Sequence, residues 1–171
     1  DDLRRQGSAA NALGLLLYQQ GRLAEARARY EEALRLAEEA GDRLGAVAAL
    51  VNLTGLLVHH GLPDLARQAA ERVRTLARDV GDRRGEALAI ANIATLEEGH
   101  GRLAIATTLL DQALALFREI GDRPNEGLTL ANLASIALSL GRYGQAQELA
   151  EAALAIHAEV GNRRLEGFTL N

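Results

Sequence analysis

Histidine is the side chain best suited to metal binding and to proton transfer near neutral pH. The chain has four: His59, His60, His100 and His157. Adjacent residues on a helix point in different directions, so His59 and His60 do not share a face. His60 and His100 occupy equivalent places in successive repeats. Adjacent helix axes pack about 8–10 Å apart and each repeat contains two helices, so we do not expect these two rings to share a metal. His157 lies on an apolar stripe and is predicted to be packed. We therefore expect no metal site.

Nucleophiles and carboxylates give no catalytic pattern either. There is no cysteine, and Ser8, Ser135 and Ser139 are not in a nucleophile elbow. Glu86, Glu126 and Glu166 recur every 40 residues, and surface pairing with nearby Arg or the helix dipole explains them. No phosphate-binding loop is present. We therefore expect that the protein is not an enzyme and binds no cofactor.

Composition narrows the class of partner. The net charge is −4 with both signs interspersed, whereas nucleic-acid binding requires a basic face. No run of about 18 apolar residues could cross a membrane, and the first five residues, DDLRR, lack the apolar segment of a signal peptide. The absence of cysteine fits a reducing compartment. These observations predict a cytoplasmic protein that binds neither nucleic acid nor a membrane.

Glycines divide the chain into equal parts. One set recurs every 40 residues: Gly21, Gly61, Gly101 and Gly141. A second set has the same period: Gly41, Gly81, Gly121 and Gly161. Each glycine of the second set precedes a near-constant pair: Asp42-Arg43, Asp82-Arg83, Asp122-Arg123 and Asn162-Arg163. Four copies in register indicate an internal repeat.

Between the glycines the apolar residues have helical spacing. In the third repeat they step by three and four: Leu103, Ala106, Leu110, Ala113, Phe117 and Ile120. Glycine after such a stripe ends a helix, and Asp42, Asp82 and Asp122 stand where an N-cap belongs. The spacing predicts helices near 3–20, 23–40, 44–60, 63–80, 84–100, 103–120, 124–140 and 143–160. A ninth begins near 164.

The small residues within each repeat identify a family resemblance. Each first helix has a large-then-small pair: Leu13-Gly14, Leu53-Thr54, Ile93-Ala94 and Leu133-Ala134. An alanine follows at the same place in each second helix: Ala26, Ala66, Ala106 and Ala146. This pattern resembles the tetratricopeptide repeat family, in its 40-residue subclass. That subclass is seen in Pins-type adaptors and in regulatory arms of bacterial proteins. The resemblance implies an all-α, right-handed α-solenoid of four hairpins plus the start of a fifth.

The resemblance also implies where a ligand would bind. In this family the first helix of each repeat lines a concave groove, so we expect a peptide groove at eight positions: Asn52, Gly55, His59, Asn92, Thr95, Asn132, Ser135 and Ser139. Asn52, Asn92 and Asn132 would form a ladder that hydrogen-bonds a peptide backbone, or would bond to neighbouring helices. In the first repeat, Ala12 occupies the position equivalent to these three asparagines, and Asn11 lies one residue before it. Basic clamp residues are missing, which favours an apolar or amphipathic guest.

We therefore predict a non-catalytic scaffold that binds a protein or peptide. The alternatives are a regulatory arm of a larger bacterial signalling ATPase or transcriptional activator, acting on another domain of its parent chain, and a module for end-to-end self-association. The sequence predicts one superhelical domain, with repeats at about 1–41, 42–81, 82–121 and 122–161. Residues 162–171 read as the start of another repeat, so we expect a fragment of a longer protein.

Overall fold

The computed structural model describes residues 2–161, which form eight α-helices and no strand. The first four helices are α1 (Asp2–Gln19), α2 (Leu23–Glu39), α3 (Arg43–His59) and α4 (Pro63–Val80). The next four are α5 (Arg83–Gly99), α6 (Leu103–Ile120), α7 (Arg123–Ser139) and α8 (Tyr143–Glu159). Every predicted boundary is within one residue of the observed one. The predicted ninth helix lies outside the described residues.

The turns confirm the predicted helix ends. All eight repeating glycines have positive φ, between 64° and 75°, a conformation that costs little only without a Cβ. Asp42 and Asp82 then cap the following first helices by accepting from the backbone N–H of Gly45 at 3.0 Å and of Gly85 at 2.9 Å. These caps satisfy amide groups that a helix start leaves open. Asp122 caps α7 in the same way.

The chain divides into two compact units, residues 1–92 (unit 1) and 93–171 (unit 2), and the division falls inside α5. In unit 1, α1 packs against α2 and α3, α2 against α3, and α3 against α4. In unit 2, α7 packs against α6 and α8. Each unit is therefore built from antiparallel helical hairpins.

Small side chains allow the helices to pack closely. The predicted alanines of the second helices are all buried, with Ala26, Ala66 and Ala106 at 0% exposure. In unit 1, Gly14 makes room for Tyr30, because a Cβ on Gly14 would lie 2.6 Å from the Tyr30 ring. The large-then-small pair of the first repeat thus marks the contact between α1 and α2. Packing this tight makes a methyl-sized change costly.

Candidate functional site

The eight predicted groove positions lie on the exposed sides of the first helices. In unit 1, Asn52 and Gly55 on α3 and Asn92 on α5 are half-buried, and His59 is exposed. In unit 2, Thr95 and Asn132 are half-buried, while Ser135 and Ser139 are exposed. None of the eight is fully buried. Their role in binding stays a prediction.

In unit 1 an asparagine pair joins two first helices. The Asn52 side-chain amide on α3 donates to the Asn11 side-chain oxygen on α1 at 2.9 Å. Both side chains line a cleft of about 300 Å³ between α1 and α3, which also contains Arg4, Ser8 and Leu15. Sequence register had placed Ala12, and not Asn11, in this row. The pairing depends on the rotation of α1 against α3, which the 40-residue period does not report.

His59 lies beside an aromatic ring on the same unit. Its ring centroid is 6.3 Å from that of Tyr18, with the planes tilted by 44°. This spacing is within the range of aromatic pairs. His59 thus extends the first-helix face of unit 1 with a flat, partly apolar surface.

Unit 2 contains a larger cleft on the faces of α7 and α8. We name it the α7–α8 cleft and define it by its lining residues; its volume is about 730 Å³. The lining consists of Glu98, Ala131, Asn132, Ala134, Ser135, Leu138, Tyr143, Ala146, Gln147 and Ala150. Leu138 is 57% exposed and Tyr143 is 72% exposed. An apolar floor with a few polar side chains is the usual character of a ligand site.

Glu98 is the charged side chain of this cleft, and the sequence analysis missed it. It stands on α5, 40 residues before Leu138 and 40 after Val58. No hydrogen bond or ion pair engages its carboxylate among the described residues. Burial raises the pKa of Glu98 above its ordinary value, because desolvation disfavours the charged form. A single acid among apolar residues in the 40-residue register was the signal that could have identified it.

The structure corrects the positions that the sequence analysis predicted for two other glutamates. Glu86 and Glu126 were expected at the surface, but they are 6% and 5% exposed. Arg78 and Arg83 bind the Glu86 carboxylate at 2.6 and 3.0 Å. Arg118 and Arg123 bind that of Glu126 at 2.9 and 2.6 Å. The predicted pairing with nearby Arg is confirmed, but the predicted surface position was wrong, because each carboxylate turns into the space between successive helices. Glu166 lies outside the described residues.

The histidines do not assemble a metal site in the part of the chain that the structure describes. There, no three metal-binding side chains of the His, Cys, Asp or Glu type come together. His157 is 1% exposed, which confirms the packed position predicted for it. The described helices also include none that is long and apolar enough to cross a membrane.

The family model for the tetratricopeptide repeat matches residues 5–79 and 86–159. The chain belongs to the tetratricopeptide repeat family. This match and the helical hairpins confirm the predicted fold class. No curated protein matches the sequence.

Solved structures with similar folds include two Rap proteins and a signalling ATPase. The apo form of RapI has a TM-score of 0.82 at 14% identity, covering 99% of this chain and 61% of RapI. The Rap conjugation gene regulator of plasmid pLS20, in complex with the Phr* peptide, has a TM-score of 0.85 at 16% identity. The match covers 93% of this chain and 44% of the regulator. A Pyrococcus horikoshii signal transduction ATPase with a tetratricopeptide repeat sensor has a TM-score of 0.75 at 17% identity. The match covers 99% of this chain and 26% of the ATPase. The chain thus spans less than two thirds of each.

Proposed function

We propose that this chain is a non-catalytic protein-interaction module that binds a peptide or a helix on the exposed sides of its first helices. The observation that carries the proposal is the combination of 40-residue register and exposure. Small and polar side chains recur at the same places of α3, α5 and α7 and stay accessible, while their neighbours form the core. In each unit, accessible side chains of this kind, such as Asn92 in unit 1 and Ser135 in unit 2, are available to a ligand.

The ligand we propose is apolar or amphipathic. Half of the residues that line the α7–α8 cleft are Ala or Leu, and among these described residues there is no basic side chain that could clamp a carboxylate. The asparagine side chains can donate to and accept from a peptide backbone. Such a surface suits an extended segment or an amphipathic helix.

A structural relative supports this proposal. The Rap regulator of plasmid pLS20 forms a complex with the Phr* peptide. The likeness at 16% identity concerns the fold, so it supports peptide binding as a class of function.

The test compares two asparagines of unit 1. Asn92→Ala should weaken capture of a peptide from a displayed library without lowering the melting temperature, because no described side chain bonds to Asn92. Asn52→Ala is the comparison variant, because this substitution removes a side-chain hydrogen bond to Asn11 in addition to the amide that a ligand could use. Library peptides are selected on the parent protein, and their affinities are then measured on both variants. Lower stability with unchanged affinity for Asn92→Ala would contradict the proposal.

A second candidate is a regulatory arm of a larger protein. The similar chain from Pyrococcus horikoshii is a signal transduction ATPase whose sensor consists of tetratricopeptide repeats. For this candidate, the natural protein should change the activity of its effector domain when residues 1–171 are deleted. Unchanged effector activity would exclude it.

A further inference from the structure

In unit 1 a cleft opens between the second helices α2 and α4. We name it the α2–α4 cleft; its volume is about 270 Å³, and its lining includes Arg27, Leu34, Leu53, Leu65, Ala69 and Arg72. Leu53 of α3 is buried, whereas Leu34 and Ala69 are half-buried. Leu65 is 43% exposed. The cleft therefore brings an apolar surface to solvent on the side of unit 1 that the second helices form.

Unit 2 shows which side chain fits this space. The equivalent cleft between α6 and α8 has a volume of only about 60 Å³. Leu149 occupies the repeat position of Ala69 there, and it packs against the core cluster that contains Leu114. Leu114 is 7% exposed, but its counterpart Leu34 in unit 1 is half-buried. A leucine side chain thus closes the cleft in unit 2, and an alanine leaves it open in unit 1.

Other parts of the chain do not make up for the missing leucine. The α2–α4 cleft stays larger although Leu57 in its lining replaces the smaller Ala137 of unit 2. Both of its walls belong to unit 1, and in unit 2 the equivalent space is occupied by a side chain of α8 itself. A repeat that precedes α1 or follows α4 would therefore not fill the α2–α4 cleft.

Charge restricts the residues that would lie beside an inserted apolar side chain. Two arginines, Arg27 and Arg72, line the cleft together with a single acidic residue, Glu31. Arg27 pairs with Glu31, and Arg72 pairs with Glu38, but all four side chains are at least 43% exposed. Exposed ion pairs contribute little to stability, so these arginines can accept another carboxylate at small cost. An acidic guest is favoured over a basic one.

We propose that the α2–α4 cleft binds a segment of a partner protein that inserts one leucine-sized apolar side chain over Leu34 and Ala69. Asp or Glu residues of that segment lie beside Arg27 and Arg72. This surface is separate from the exposed sides of the first helices, so it is a second interaction site whose test is independent of the proposed function.

The probes are short synthetic peptides with capped ends. Their central residue is Leu or Ala, and its two neighbours are both Glu, both Gln or both Lys. Each peptide is titrated into the ¹⁵N-labelled 171-residue chain, and backbone amide chemical shifts are followed by NMR, which also measures weak binding. The peptide with Leu and Glu should shift the amides of Leu34, Leu65 and Ala69. Central Ala should weaken binding by about tenfold or more. The Glu peptide should bind about threefold more tightly than the Gln peptide, and the Lys peptide most weakly.

Three variants separate the cleft from its charges. Ala69→Leu copies unit 2 and should abolish binding while raising the melting temperature, because it fills the space with the chain's own side chain. Arg27→Gln combined with Arg72→Gln should remove the order of the Glu, Gln and Lys peptides but keep the requirement for Leu. Ala28→Leu is the matched control, since Ala28 is exposed on α2 and does not line the cleft. It should leave binding unchanged.

Each contrary outcome overturns a defined part of the inference. Equal binding of the Leu and Ala peptides, or a lower melting temperature for Ala69→Leu, would overturn the leucine-sized space. Equal affinities of the Glu, Gln and Lys peptides would overturn the preference for an acidic segment. No shift with any peptide would overturn the cleft as a docking site, while the Asn92→Ala experiment would still decide the proposed function. A dimer in sedimentation that disappears in Ala69→Leu would assign the cleft to a second copy of this chain.

Discussion

In unit 1, Ala46 lies at the junction of α2, α3 and α4. In unit 2, Glu126 occupies the equivalent repeat position, at the junction of α6, α7 and α8. Glu126 is buried between Arg118 and Arg123, and Arg123 also reaches Glu159 at 2.6 Å. Near Ala46 the position of Arg118 is taken by Glu38, which pairs with Arg72 of α4. A cleft of about 420 Å³ lies there.

This comparison shows that one repeat pattern permits two kinds of junction. In unit 2 a single carboxylate joins the end of one second helix to the start of the next first helix. At the α2–α3 junction of unit 1 an exposed pair crosses between α2 and α4, and Ala46 lines an open cleft. The next junction of unit 1 has the buried kind, because Arg78 and Arg83 bind Glu86. The backbone turns are the same in both, so the difference comes from two side-chain positions.

A second difference concerns core volume. In unit 1, Val47 and Ala77 belong to one core cluster. In unit 2 the equivalent residues are Gly127 and His157, and a Cβ on Gly127 would lie 2.7 Å from the imidazole Cε1. The large side chain stands on the first helix in one unit and on the second helix in the other. Total volume is conserved while its source changes.

The largest expected effect comes from exchanging these volumes. Gly127→Val alone should cost about 3 kcal/mol of unfolding free energy through overpacking, and His157→Ala alone about 2–4 kcal/mol through the cavity that it leaves. The double variant rebuilds the Val–Ala pair of unit 1 and should be more stable than the sum predicts by about 1–2 kcal/mol. Urea denaturation of all four proteins measures the coupling, and additive losses would refute the compensation.

Removing the buried carboxylate should have the next largest effect. Glu126→Ala deletes charge-assisted hydrogen bonds to two arginines and should cost about 2 kcal/mol. Glu38→Ala in unit 1 breaks an exposed pair and should cost less than about 1 kcal/mol. Glu38→Arg combined with Ala46→Glu should raise the urea midpoint by copying the unit 2 junction. Equal losses for Glu126→Ala and Glu38→Ala would contradict this distinction.

The asparagines should give a smaller difference. Asn52→Ala loses the bond to Asn11 and should cost about 1 kcal/mol. Asn132→Ala in unit 2 breaks no side-chain bond among the described residues, so its melting temperature should stay within error of the parent. Differential scanning calorimetry of the two variants makes the comparison. A larger loss for Asn132→Ala would mean that the two positions are not used as described.

Glu98 should produce the smallest effect, and one that depends on pH. Burial raises its pKa in the folded chain above the ordinary 4.5, so the folded state binds its proton more tightly than the unfolded state. This contribution to stability is present below about the ordinary pKa and is lost as pH rises through the folded-state pKa. Glu98→Gln should therefore be more stable than the parent at neutral pH and gain little near pH 4. A gain of the same size at both pH values would contradict the assignment.

Much of the fold was predictable because its signals are local. Glycines such as Gly81 and Gly121 end helices through a positive φ. Asp42 caps the following helix by accepting a hydrogen bond from the backbone N–H of Gly45, three residues further along. Apolar stripes at helical spacing determine which side of each helix is buried. These interactions lie within one turn or one helix, so the 40-residue period placed all eight helices.

The site was less predictable because its contacts join distant residues. The eight predicted positions could be placed on the first helices, but the register did not indicate that Asn11 would be the partner of Asn52, and Glu98 was not identified. Glu86 and Glu126 were assigned to the surface although they are buried. Each of these depends on how far one helix is rotated and shifted against another.

The sequence by itself determined the number of helices, their ends and the small residues between them, since helix caps, turns and periodicity act over a few residues. The tertiary structure alone decided which carboxylates turn inward, which asparagines pair, and where a cleft opens beside Glu98. Those features depend on distances of a few ångströms between side chains on different helices, and the linear spacing of residues does not specify such distances.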